Sequence, residues 1–231
     1  MGVQYTEILF FIFYSMQIVI NDKSYYVPSA FNEVKLGNFM DYMAQYNEED
    51  NEAKKQLVLV STLIGAPKLL LEKAKKSVVD QAVEELSKML QTKASEELNL
   101  IFEIDGIEYG FHPNLHELKL KEFVDLDNKL ADGWQTMAEV MAILYRPITK
   151  RKGGKYRIEE YDFKTAKHRA KLFKEELSVD TVNGAAAFFL SIAIQYLTIT
   201  QQFSEKLNRR QRRKATRQMK NNLAKNMGGT L

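Results

Sequence analysis

Three histidines (His112, His116 and His168), thirty acidic side chains and no cysteine are the stock from which this chain could build a reactive centre. His112 and His116 are four residues apart, the spacing at which one helical face offers two imidazoles to a metal. Pro113 lies between them and interrupts the helix that such a pair needs. His168 stands among Lys164, Lys167, Arg169 and Lys171 and reads as a surface residue. Without cysteine there is no thiolate nucleophile, no disulfide and no cysteine-ligated metal. The chain has no nucleophile elbow, no phosphate-binding Gly-rich loop ending in Lys-Ser/Thr and no dinucleotide fingerprint. Gly153-Gly154 falls in a basic turn rather than between a strand and a helix. The acidic pairs Glu159/Glu160 and Asp125/Asp127 are explained more simply as solvated faces or caps than as general acid and base. The expectation is a protein that is not an enzyme, with no catalytic residue, metal ligand or cofactor.

Charge is distributed more tellingly. Residues 204–231 hold nine basic side chains against the single acid Glu205, a local charge of +8, whereas the whole chain is only +3 and the remainder therefore −5. Apolar residues are sparse there, so the segment has little to bury. Three readings are open: a solvated, partly helical tail; a helix docking on an acidic or helical protein; or contact with nucleic-acid phosphates through Arg209, Arg210, Arg212, Arg213, Lys214 and Arg217. No aromatic residue interleaves the basic run, which argues against base stacking on single strands.

The elements that would carry these residues are announced by an internal repeat. Val19–Tyr42 aligns without a gap to Glu103–Leu126 at an offset of 84 residues, with seven of 24 pairs identical, among them Ile20/Ile104, Tyr25/Tyr109, Glu33/Glu117, Leu36/Leu120 and Phe39/Phe123. Each copy opens as a hairpin: Gln17–Ile20 and Ser24–Val27 around Asn21-Asp22-Lys23, then Asn99–Ile104 and Ile107–Phe111 around Asp105-Gly106. A short helix follows, with Leu36, Phe39, Met40 and Met43 at helical spacing in the first copy. The second copy places Leu120, Phe123, Val124 and Asp127 there, its last slot polar. The parallel resumes at an offset of 80, pairing Leu57–Pro67 with Met137–Pro147, and each predicts an apolar helix stopped by proline. The four additional residues of the first copy fall in Asn47–Lys54, which reads as a loop.

After Pro67 the first copy continues into an amphipathic helix or helix pair over Lys68–Lys93, with Leu70, Leu71, Val79, Val83, Leu86 and Leu90 as its apolar stripe. After Pro147 the second inserts a hairpin over 148–163 that turns at Gly153-Gly154, then a charged helix Lys164–Leu177. Asp180 and Asn183 are candidate caps for an apolar core helix over 184–203. Ser191, Gln195 and Thr198 interrupt that helix, so it reads as buried in protein rather than in a membrane. Residues 1–15 are a leader that either precedes a natural start at Met16 or supplies part of an edge strand over 8–20. The fold class expected is α+β and helix-rich. Its two related hairpin–helix–helix units span 16–98 and 99–203, with the basic tail after them.

Trp134–Ile148 (WQTMAEVMAILYRPI), with Gly154–Tyr161, Phe123–Leu126 and the helix start at Gly184–Phe189, resembles tail assembly proteins of tailed bacteriophages, of the type that chaperones the tape-measure protein. The resemblance covers about Glu103–Tyr196 and does not account for the duplication. It implies a mostly helical protein of the infected host's cytoplasm that keeps the tape-measure helix soluble until tail-tube subunits assemble around it. Helix-in-groove binding is compatible with that role. Trp134, Met137, Met141, Leu144 and Tyr145 are the candidate groove, with Arg146 beside it, because aromatic and methionine side chains suit partner surfaces. A stripe of that composition at helical spacing is more often core, and Arg146 is equally an ion-pair partner for Glu159. The alternative function is a virion structural or connector protein whose basic tail touches DNA or an acidic neighbour.

Overall fold

A computed structural model describes residues 16–189, 191 and 214 of the chain. The leader 1–15, the rest of the apolar helix expected over 184–203 and the basic tail, Lys214 apart, lie outside the described residues. The chain divides into two compact units, Met1–Ala185 and Ala186–Leu231, and both repeats lie in the first. That unit is α+β and helix-rich. Among the described residues no helix is long and apolar enough to cross a membrane.

The repeat is a repeat of structure. Strands β1 (Gln17–Ile20) and β2 (Lys23–Tyr26) pair antiparallel with Ile18 opposite Tyr25; β3 (Ile101–Ile104) and β4 (Ile107–Phe111) pair with Phe102 opposite Tyr109, the same register 84 residues on. The turn residues Asn21, Asp22, Asp105 and Gly106 all have positive φ, the requirement of the two-residue turn whose twist matches the strands. The first turn is thus Asn21-Asp22 alone, and Lys23 already belongs to β2. In each copy a 3-10 turn follows, Phe31–Glu33 and Leu115–Glu117. The repeated glutamates tie these turns: Glu33 accepts from the Ser29 amide at 2.6 Å and Glu117 from the Asn114 side-chain amide at 2.9 Å. Helices α1 (Leu36–Glu48) and α5 (Leu120–Ala131) come next.

Helix α2 (Glu52–Ile64) begins on Asn51, whose side chain accepts from the Lys54 amide, and ends on Gly65 in the left-handed region. The acidic stretch expected as a loop is mostly helix, leaving only residues 49–51 between α1 and α2, because Asn51 is a good cap. Beyond Pro67 come the short α3 (Lys68–Leu71) and α4 (Lys76–Gln91), a pair rather than the single helix equally compatible with the sequence, with Leu71, Ala82, Leu86 and Met89 in the core.

The second copy departs after its helix. A 3-10 turn (Gly133–Thr136) leads into α6 (Met137–Leu144), which stops three residues before Pro147, as α2 stops three before Pro67, rather than at the proline. From Tyr145 the chain becomes β5 (Tyr145–Lys152), pairs with β4 at Phe111↔Tyr145 and Tyr109↔Pro147, and turns at Gly153-Gly154 into β6 (Lys155–Ile158). The inserted hairpin therefore starts at 145, not 148, and extends the second hairpin into a four-stranded antiparallel sheet, β3-β4-β5-β6. Pairing with β4 is what overrides the helical pattern at Tyr145 and Arg146. Helix α7 (Phe163–Glu176) follows, capped by Asp162, and α8 begins at residue 179. Ser178 accepts from the Thr181 amide at 3.4 Å in the capping position. The expected cap Asp180 instead accepts from the Ser95 amide at 3.2 Å.

Two apolar centres hold the unit. The first gathers Ile18, Ile20, Val27, Phe31, Val34, Phe39, Leu59, Leu63 and Leu86 under the first hairpin. In the second, Phe102, Tyr109, Phe111 and Tyr145 from the sheet meet Phe173 of α7, with ring centroids 4.9 to 5.6 Å apart. The first copy is joined to the end of α7 by backbone. The Leu36 amide donates to Leu177 O at 2.7 Å and the Val179 amide to Val34 O at 2.9 Å. Lys35–Glu176 and Lys174–Asp41 ion pairs flank this strip. Gly37 permits the approach, since a Cβ there would lie 2.7 Å from Lys174 O.

Candidate partner-binding surface

The stripe expected to form a groove is interior. Met141, Leu144 and Tyr145 are fully buried, Arg146 nearly so, and Trp134 and Met137 are half-buried. Trp134 meets Phe39 of the first copy edge to face, centroids 4.8 Å apart, and packs against the first core. The Tyr145 hydroxyl donates to Asn99 O at 2.6 Å, and burial raises its pKa. α6 has apolar residues nearly all round and is packed between α5, α7 and the sheet, so its periodicity marks core.

Arg146 does not meet Glu159. Its guanidinium lies 2.5 Å from the carboxylate of Glu122, both side chains almost entirely buried, while Arg146 Nε has no partner among the described residues. Arg169 takes Glu159 and also donates to Ala142 O at 2.8 Å. Glu122 is held from its other oxygen by the Lys119 amide at 3.1 Å, the cap of α5. His112 Nε2 is 3.9 Å from Glu122. Burial lowers the His112 pKa first of all, and the neighbouring Arg146 cation lowers it further against the pull of Glu122 and Glu117. The three groups form a structural joint between α5, β4 and β5. His116, exposed on its 3-10 turn, takes no part, and His168 is exposed on α7.

The open surface is the other side of α5. Leu120 is 79% exposed where its equivalent Leu36 is 0%; Phe123 is 55% where Phe39 is 8%; Val124 is 45% where Met40 is 7%. Leu130, also exposed, extends the stripe by two turns. The same apolar positions face outward in one copy and inward in the other. The end of α7 that covers α1 has no counterpart over α5 among the described residues, and Leu118 and Leu120 make no equivalent of the backbone bonds at Val34 and Leu36. Lys121 replaces Gly37, so a main chain cannot approach α5 as closely as Lys174 approaches α1. Asp127 takes the place of Met43 in the middle of the stripe, exposed and without an ion-pair partner among the described residues. Two signals in the sequence point here: the polar slot at Asp127 and the Gly37/Lys121 mismatch within an otherwise matched block.

On the other flank of α5 a cleft of about 320 Å³ lies among Asp125, Asn128, Glu139, Tyr161, Phe163 and Lys167. The Tyr161 hydroxyl closes one end by donating to Asp125 at 2.6 Å. Its charges are of both signs and select no ligand class. Compared with known proteins, the chain matches no family model, no curated protein and no solved structure.

Proposed function

We propose that this protein is a non-enzymatic assembly protein that binds an amphipathic helix of its partner on the open face of α5. The observation that carries the reading is the unequal fate of one repeated face, covered in α1 and bare in α5. Large apolar side chains scattered singly on a surface need no explanation, but four on one helical stripe form a patch of the kind that marks an interaction site. The occupant is a helix with apolar residues at i, i+3 and i+4 and a lysine or arginine placed to meet Asp127. Residues at Trp134 and 137–145 support the site from behind rather than touching the partner.

The resemblance to phage tail assembly proteins names the tape-measure protein as that partner and the infected host's cytoplasm as the place. A tape-measure helix exposes long apolar stripes, and a protein that covers one turn-length of stripe at a time protects it from aggregation. Co-expression with the tape-measure protein tests this. The wild-type chain is expected to raise the soluble fraction of the partner and to co-purify with it, and Phe123→Glu with Leu120→Glu to lose both. Solubility and co-purification unchanged in that variant refute the site, and no gain from the wild type refutes the function.

A further inference from the structure

The hairpin that the second copy adds carries a feature the helix-binding role does not use. In β5 and β6, Lys150 stands opposite Arg157 and Lys152 opposite Lys155, with Arg151 opposite Tyr156 between them. Side chains alternate along a strand, so Lys150, Lys152, Lys155 and Arg157 project from one face of the ribbon and Arg151 and Tyr156 from the other. The second face is occupied: Arg151 pairs with Glu108 at 2.7 Å, and Tyr156 lies over Gly110 while its hydroxyl donates to Phe111 O at 2.7 Å. The first face is exposed, and its four cations have no acidic partner among the described residues. Like charges directly opposite each other weaken a hairpin, and here two such pairs flank one tight turn. Nothing in the packing requires them, since neutral side chains would serve the exposed face equally well.

We propose that this face of the β5–β6 hairpin binds the phosphate backbone of duplex DNA. A two-stranded ribbon enters the major groove of B-form DNA, whereas the deep, narrow major groove of duplex RNA excludes it. Cations two residues apart on each strand are about 7 Å apart along the ribbon, and the two directly paired rows lie about 5 Å from each other, which concentrates four positive charges on a narrow strip that one line of phosphates can follow. The face has no apolar residue to form the core of a protein interface, where lysine is depleted. Its one aromatic neighbour, Tyr156, faces away, so bases of a single strand have nothing to stack on. Contacts to phosphate carry no sequence information, so the binding proposed is independent of sequence.

The test is fluorescence anisotropy of a labelled 20-base-pair duplex of arbitrary sequence with the full chain, over a salt series. Four phosphate contacts contribute about −3.6 to the slope of log affinity against log salt. The variant with Lys150, Lys152, Lys155 and Arg157 all changed to serine is expected to lose a slope of 3 to 4 and at least tenfold in affinity at low salt, on the order of one contact's worth per cation. Its thermal midpoint should be equal or higher, because the facing like charges are gone. A control with Lys54, Lys73, Lys121 and Lys171 changed to serine removes the same charge elsewhere and should keep most of the slope. No binding of the duplex at low salt overturns the proposal, as does an equal loss in the control or an unchanged slope in the hairpin variant. Equal or tighter binding of duplex RNA overturns the groove assignment. Because the hairpin variant leaves Leu120, Phe123 and the rest of the α5 face unchanged, its failure leaves the helix-binding surface standing, and that surface's failure leaves the hairpin.

Discussion

Leu36 and Leu120 are the same residue at the same position of a repeated unit, and truncating each should have opposite consequences. Leu36→Ala removes a side chain with no exposed surface. The lost groups amount to about 2.4 kcal/mol of transfer free energy at roughly 0.8 kcal/mol per methylene. The cavity left between α1 and the end of α7 raises the cost into a range of about 2–5 kcal/mol. Leu120 keeps 79% of its surface in water, so about a fifth of that transfer term is at stake, near 0.5 kcal/mol. The assay is thermal unfolding of each variant followed by far-UV circular dichroism, with a urea series in which midpoint and slope are read separately. Leu36→Ala should lower the thermal midpoint by roughly 4–20 °C for a body of this size, and Leu120→Ala by about 2 °C or less. In the presence of the helical partner the order changes, and Leu120→Ala should cost about 1–2 kcal/mol of binding free energy. A loss of several kcal/mol for Leu120→Ala in the unbound protein, independent of protein concentration, refutes the argument, because it means the α5 face is already covered.

The Glu122–Arg146 pair gives a second test: Arg146→Met strands a buried carboxylate and should cost about 3–5 kcal/mol. Replacing both residues by apolar ones should cost less than the sum of the two single changes, as read by a double-mutant cycle in denaturant. Gly37→Ala should destabilise by about 1–3 kcal/mol, because its Cβ would press on Lys174 O, while Lys121→Gly costs no more than the helix propensity difference of about 1 kcal/mol. The His112 pKa is lower in the folded protein than in the unfolded chain, so the unfolded state binds the proton first as pH falls. That contribution to stability is whole above about pH 6.5 and is lost as pH drops below it. Urea midpoints at pH 7.5 and 5.5 should therefore differ less in His112→Gln than in the wild type, and an equal difference removes His112 as the source.

Much of the local architecture was legible from residue types. The three tight turns at Asn21-Asp22, Asp105-Gly106 and Gly153-Gly154 follow from residues that tolerate positive φ between alternating apolar runs. The two hairpins share one register, although the sequence suggests a three-residue turn over Asn21-Asp22-Lys23 in the first and a two-residue turn in the second. Element ends were less legible. α2 and α6 both stop three residues short of their prolines, at Ile64 and Leu144, but only after α6 does the chain go on as a strand, because β4 offers Tyr145 and Arg146 a partner, a long-range event. The start of α8 was set by Ser178, a weaker signal in the sequence than Asp180 or Asn183, because Asp180 was drawn to the Ser95 amide.

The candidate site shows where the division lies. Helical spacing established by itself that Leu120, Phe123 and Val124 share a face, and that Trp134, Met137, Met141 and Leu144 lie along another. It could not say which face would be covered, because periodicity records what points the same way and not what stands opposite. The tertiary structure decided that. The end of α7 closes over the start of α1, where glycine admits its backbone, Trp134 covers Phe39, and α7, α5 and the sheet close around α6. The stripe that looked like a groove was thereby sealed inside, and the repeat's second copy, with Lys121 where the first has Gly37, was left with its apolar face in water.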